Sequence, residues 1–203
     1  MKPILTLPHW LNAPRPVETS IAWQEGHTWT LGHLRQDVGD LFEYLQKQEG
    51  DRWALCFENS YLFIVALLAT LHAGKIPVLP GHDRVILLNE QRALFDGLLS
   101  DKELDWRGSQ RVVSSSMTIA TESFVFPTID NDACIELFTS GSTGQPKRVK
   151  KPISLLNKEA KLLATHFADR LANCHIVASV SPQHLYGLTF RIFLPMALGV
   201  PLH

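Results

Sequence analysis

Residues 137 to 149 read Leu-Phe-Thr-Ser-Gly-Ser-Thr-Gly-Gln-Pro-Lys-Arg-Val. The hydroxyl side chains of Thr139, Ser140, Ser142 and Thr143 alternate with Gly141 and Gly144 and lead to Lys147. Glycines let a backbone approach an anion closely and aim several N–H groups at it. Hydroxyls add donors that also meet a metal, and a lysine supplies a mobile point charge. The pattern suits a polyphosphate. The apolar run Cys134 to Phe138, interrupted only by Glu136, predicts a buried strand that delivers this loop. The phosphates would then lie at the strand's carboxyl end, where open α/β sheets place ligands. Arg148, Lys150 and Lys151 follow, and either add positive potential for phosphate or form a solvated charge run.

Two other readings compete. In a Walker loop a glycine precedes the lysine and a Ser or Thr follows it. Gly141 and Lys147 have that separation, but Pro146 and Arg148 occupy the flanking positions, and a proline supplies no N–H for the cradle. A flexible Ser/Gly surface loop requires neither the preceding strand nor the basic residues.

Thr139 to Lys147 resembles the Thr-Ser-Gly-Ser-Thr-Gly-x-Pro-Lys signature of the adenylate-forming superfamily. That superfamily contains acyl-CoA synthetases, fatty acyl-AMP ligases, peptide synthetase adenylation domains and beetle luciferases. Arg148 departs from its usual glycine, which leaves the subfamily open. Residues 28 to 81 resemble the family's opening unit: a Thr-led helix, the turn Glu49-Gly50-Asp51-Arg52, the strand Trp53 to Phe57, Asn59-Ser60, an apolar helix, Ala73-Gly74 and the strand Ile76 to Leu79. Ser181 to Leu188 resembles the Pro-x-x-His-x-x-Gly turn beside the acyl pocket.

The resemblance implies ATP-dependent activation of a carboxylic acid to an acyl-adenylate. Pyrophosphate leaves, and the acyl group passes to a thiol of CoA or of a carrier protein's phosphopantetheine. It assigns Lys147 a catalytic contact with the β- and γ-phosphates, and makes Thr139, Ser140, Gly141, Ser142, Thr143 and Gly144 phosphate donors. A threonine, Thr143 above all, would approach Mg²⁺. His184 would lie near the reacting carboxylate, while Leu185, Tyr186 and Gly187 border the acyl pocket. A carboxylate already ionised at neutral pH needs no general base. The Lys-Arg-Val ending of the loop resembles bacterial ligases of fatty-acid-like or polyene-type pathways. The chain resembles the N-terminal part of the large adenylation domain, with a first α/β lobe to about residue 130 and the phosphate loop opening a second lobe over 131–203. The family's Tyr-Gly-x-Thr-Glu segment, its Thr-Gly-Asp and its late catalytic lysine, in a C-terminal domain, have no counterpart. The expectation is therefore a shortened piece or a naturally incomplete protein, incomplete for catalysis alone. A non-catalytic nucleotide-binding module stays open as an alternative, as does a phosphotransferase.

With 203 residues, 45% apolar and a net charge of −1, the chain can bury a sizeable core. With 19 Lys and Arg against 20 Asp and Glu, the charge balance argues against nucleic acid as a target. Cys56, Cys134 and Cys174 are far apart in apolar segments and suit buried free thiols in a reducing compartment. Met1 to Trp10 lacks a long apolar core, and the apolar stretch Tyr61 to Ala73 is too short to span a bilayer. The expected location is cytoplasmic. The histidines other than His184 have no metal-ligand spacing, and Trp23, Trp29 and Trp53 suit the core better than a ligand platform.

Periodicity predicts an α/β fold of mostly parallel strands covered by helices. Leu31, Leu34, Val38, Leu41, Phe42 and Leu45 mark a helix over 31–48 capped by Thr30. A strand over 51–57, a helix over 61–73 capped by Ser60 and ended by Gly74, and a strand over 76–79 follow. This order implies a crossover and a parallel pair. A helix over about 85–99, short strands at 111–113 and 124–126, a helix from Ser154, a strand over 175–180, a helix ending near Leu198 and a strand beginning at Gly199 complete the expectation.

Overall fold

The computed structural model describes residues 4–119, 124–130, 132–140, 146–171 and 174–203. An antiparallel hairpin of β1 (Ser20–Gln24) and β2 (His27–Thr30) leads into α1 (Leu31–Gln46). Thr30 heads that helix, and the Nδ1 of His33, three residues on, accepts the Thr30 N–H at 3.1 Å. The imidazole thus takes the place of the glutamate usual in a capping box. Then come β3 (Arg52–Cys56), α2 (Ser60–His72), β4 (Ile76–Leu79), α3 (Val85–Glu90), β5 (Gly97–Ser100), β6 (Ser109–Val112), β7 (Cys134–Ser140), β8 (Pro146–Pro152) and α4 (Ile153–Leu171). The chain closes with α5 (Leu185–Gly187), a π-helical turn Leu188–Phe193 and α6 (Leu194–Leu198).

One sheet carries the strands in the order β6-β5-β3-β4-β7-β8. All neighbours are parallel except β7 and β8, which run antiparallel. Successive residues of a strand face opposite sides, and the two cores follow from this. Trp53, Leu55, Leu79, Leu99, Ile135 and Leu137 face the large cluster under α1, α2 and α4. Ala54, Cys56, Val78, Leu98 and Phe138 face a smaller one closed by Leu88, Phe95 and Trp106. Helix α2, apolar all round, is buried along almost its entire length between sheet and neighbours.

Several expectations are corrected. The cap of α2 is Asn59, whose side-chain oxygen accepts the Leu62 N–H at 3.0 Å; Ser60 instead donates to the His203 carbonyl at 2.6 Å. The helix foreseen over 85–99 stops at Glu90, and Gly97–Ser100 is a central parallel strand. Leu98 and Leu99 are both fully buried on opposite faces, which a helix at the surface would not permit. The strand entrance is built by Asp96, which accepts the N–H groups of Asp51 at 2.9 Å and Arg52 at 2.8 Å. Gly97 leaves room for Trp53, whose ring a Cβ there would meet at 2.5 Å. Residues 124–126 form no strand; Phe126 packs on Phe42 and His72 instead. Residues 175–180 make only an isolated bridge, Ile176 to Leu202, and Leu202 also bridges Ala22. Helix α4 begins at Ile153. Of the three free cysteines only Cys56 is buried, the others being half-buried. Trp53 is core as expected, at 1% exposure.

Candidate functional site

The hairpin of β7 and β8 has a register that matters for chemistry. Glu136 faces Lys150, Phe138 faces Arg148, Thr139 faces Lys147 and Ser140 faces Pro146. Directly opposed positions of an antiparallel pair belong to the same face, so position 139 shares the face of the exposed Lys147. Gly141, Ser142, Thr143 and Gly144 fall in the stretch 141–145 between the two strands, which lies outside the described residues, as do the side chains of Thr139 and Ser140. The connection springs from the carboxyl end of a parallel strand, the end expected for a ligand.

The Ser181–Leu188 turn is carried to the same end. The His184 N–H donates to the Ser181 carbonyl at 3.2 Å, and the His184 carbonyl accepts the Leu188 N–H at 2.7 Å. Pro182 and Gln183 are buried, and the Gln183 Nε2 donates to the Phe57 carbonyl at 3.0 Å, just past β3. Sequence reasoning passed over Gln183, and nothing in its local pattern distinguishes a buried amide anchor. The His184 imidazole stands beside Gly81, which follows β4 at φ +80°: a Cβ on Gly81 would lie 3.6 Å from the ring's Cε1 and 3.7 Å from the Phe138 carbonyl oxygen. His184 and the residue before Thr139 therefore flank the same glycine. Leu185 and Tyr186 are exposed, and the Tyr186 ring lies 4.5 Å from that of Phe190. Gly187 is buried against Ser181 with no space for a side chain.

Charges near this end are paired. Lys102 Nζ bridges Glu58 at 2.7 Å and Asp83 at 2.8 Å, and its hydrogen bond holds the Asp83 carboxyl below the usual range. His82 titrates below an ordinary imidazole, chiefly because it is desolvated and further because Arg84 and His184 lie nearby. Burial, with Asp83 and Asp101 adding to it, pushes the Cys56 thiol up to about 12, so that thiol is no nucleophile at neutral pH. A cavity of about 410 Å³ opens past β3 and β5, lined by Glu58, Asn59, Asp101, Lys102 and Arg191. Its charged lining does not suit an apolar acyl chain.

The basic run after the loop is less uniform than its sequence. Arg148 Nη1 and Lys150 Nζ each lie 3.7 Å from the fully buried Glu136 carboxylate, and Arg52 Nε lies 3.2 Å from it. These side chains are neither a plain solvated run nor turned wholly toward the loop. The signal in the sequence was the lone acid in an apolar strand.

The family model of the AMP-binding enzymes matches residues 10–203. Nonribosomal peptide synthetase 8 of Aspergillus fumigatus is 31% identical over 167 residues, which is 71% of this chain and 2% of that protein. Among solved structures, o-succinylbenzoate CoA synthetase of Bacillus subtilis in complex with its acyl-adenylate intermediate superposes with a TM-score of 0.69 at 21% identity, covering 96% of this chain and 55% of that one. The nonribosomal peptide synthetase FmoA3 bound to α-methyl-L-serine-AMP superposes with a TM-score of 0.74 at 19% identity, covering 98% and 24%. The chain thus spans only part of each protein it matches. At such identities the solved structures establish the shared fold, and the family match across nearly the whole chain establishes membership: this chain belongs to the AMP-binding, adenylate-forming enzymes.

Proposed function

We propose that the protein of which this chain is a part activates a carboxylic acid with ATP. A carboxylate oxygen attacks the α-phosphorus, the bond to the β-phosphate oxygen breaks, and pyrophosphate departs from an acyl-adenylate. A thiol, of CoA or of a carrier protein's phosphopantetheine, then attacks the acyl carbonyl and AMP leaves. The observation that supports this best is the pairing of Thr139 with Lys147 across a hairpin mouth at the carboxyl end of β7, next to His184.

Two anions must meet, so catalysis rests on positioning and on neutralising charge as it moves onto pyrophosphate. Lys147 serves the leaving group, and Thr139, Ser140, Gly141, Ser142, Thr143 and Gly144 donate to the phosphates. A hydroxyl-rich mouth fits a hard cation held mainly by phosphate oxygens, and Mg²⁺ bound there through Thr143 would screen the phosphate charge. His184 orients the acid's carboxylate from the far side of Gly81. Leu185, Tyr186 and Gly187 border the acyl group, which favours an apolar or aromatic acid of the kind handled in fatty-acid-like pathways. The first lobe then extends to about residue 130 and the second opens with the phosphate hairpin. Three free thiols suit the cytoplasm. Among the described residues no helix is long and apolar enough to cross a membrane.

The test is ATP–pyrophosphate exchange by the full-length protein across a panel of carboxylic acids. Exchange that depends on one acid class supports the reading. Phosphate release from ATP without exchange would replace it with a phosphotransferase, and ATP binding without either reaction would leave a nucleotide-binding module.

A further inference from the structure

Glu136 has no exposed surface, and it occupies a strand whose other central residues, Ile135, Leu137 and Phe138, are all apolar core. Its carboxylate gathers three cationic side chains from two other strands. Arg52 reaches across β4 from β3 and donates from Nε at 3.2 Å, while Arg148 and Lys150 approach from β8 at 3.7 Å. The Oε1 atom has no hydrogen-bond partner among the described residues. A buried ion pair built this way adds little stability over a well-packed apolar residue. Its effect is on geometry. Side chains alternate along a strand, so a slip of one residue turns every side chain of β8 to the other face. With Arg148 and Lys150 drawn to the Glu136 face, Val149 packs toward Leu137 and Lys147 is left on the face of Thr139.

We propose that Glu136 is a positioning residue of the phosphate hairpin: by holding Arg148 and Lys150 on its own face of the sheet, it fixes the register that presents Lys147 beside Thr139. This rests on the role given to Lys147 above. Glu136 lies four residues before Ser140, roughly 13 Å along an extended strand, and acts only through β8. It keeps Arg148 directed at the sheet rather than at the loop mouth, so one carboxylate sorts two adjacent cations, Lys147 and Arg148, into different tasks.

The experiment compares the full-length protein with its Glu136→Gln, Arg148→Gln and doubly substituted variants. Exchange is titrated separately in ATP and in acid, and melting temperature is recorded alongside. Glu136→Gln is expected to raise KM for ATP about tenfold with KM for the acid nearly unchanged, since misplacement of a positioning group by about 1 Å costs that much or more. Arg148 is half exposed and its removal leaves Arg52 and Lys150 on the carboxylate. Arg148→Gln should therefore fold, raise KM for ATP less, and blunt the further effect of Glu136→Gln, because neighbours in one network are not additive. If Glu136→Gln does not fold, a rise in KM for ATP in Arg148→Gln carries the test. A fall in melting temperature with unchanged KM for ATP in both single variants overturns this proposal and leaves the ligase reading intact. Wild-type protein with no exchange on any acid removes both.

Discussion

Gly187→Ala should disable the acid site while leaving the phosphate hairpin alone. Gly187 has ordinary helical angles, φ −64° and ψ −41°, so the backbone itself would tolerate alanine, and intrinsic helix propensity favours the change by about 1 kcal/mol. Packing opposes it. A Cβ would fall well inside contact distance of the Ser181 carbonyl oxygen and 2.8 Å from its carbon, whereas unbonded carbons rest about 3.5–4 Å apart. The obstacle is main chain, not the end of a flexible side chain. Overpacking of this kind costs typically about 1–3 kcal/mol, which cancels or exceeds the propensity gain. The turn from Ser181 to His184 must retreat, the 3.2 Å bond from the His184 N–H to Ser181 opens, and the imidazole leaves Gly81. A shift of that size costs up to about a hundredfold in kcat/KM. The assay is acid-dependent pyrophosphate exchange with calorimetry: kcat/KM for the acid should fall steeply, KM for ATP should change little, and the melting temperature should not rise. Gly187→Ala protein with full exchange and a higher melting temperature would show that the Ser181–His184 turn tolerates a side chain at Gly187.

Lys147→Ala should lower exchange by more than about tenfold, because a charge-assisted contact to phosphate in a dry site is worth a few kcal/mol; kinetics at saturating acid check this. Asp37 is buried and accepts from Tyr61 Oη at 2.7 Å, Ser115 Oγ at 2.6 Å and the Ser116 N–H at 2.8 Å. Asp37→Ala strands those donors and should cost about 3 kcal/mol in chemical denaturation. Burial, only partly opposed by the 2.8 Å bond from Nδ1 to the Pro127 carbonyl, lowers the pKa of His72. The unfolded chain therefore takes up the proton first, so His72's contribution is full above the ordinary imidazole pKa of about 6.5 and is lost as pH falls toward the folded value. Melting temperatures measured across that window should fall with acid, and His72→Gln should flatten the slope, with His82 supplying part of what remains.

The order strand, helix, strand around α2 was legible because Gly74 and an unbroken apolar run leave few alternatives, although the cap expected at Ser60 is Asn59. β5 was not, since Leu98 and Leu99 read equally well as a helix face; only Trp53 packing over Gly97 and the Asp96 carboxylate at the strand entrance decide it. β8 was hidden for the opposite reason. Its basic residues look like solvent-facing loop until Glu136 supplies their partner on the neighbouring strand. At the site, the hydroxyl and glycine pattern pointed to phosphate without any fold. The place of His184 next to Gly81 depends on a contact between residues about a hundred positions apart, which no local pattern carries.

In the proposed reaction a carboxylate oxygen becomes bonded to the α-phosphorus. The most direct measurement is to supply an accepted acid labelled in its carboxylate with heavy oxygen, run the full-length protein through transfer to a thiol, and weigh the AMP. AMP should carry one labelled oxygen from the acid. Unlabelled AMP, or ADP with free phosphate, would contradict it.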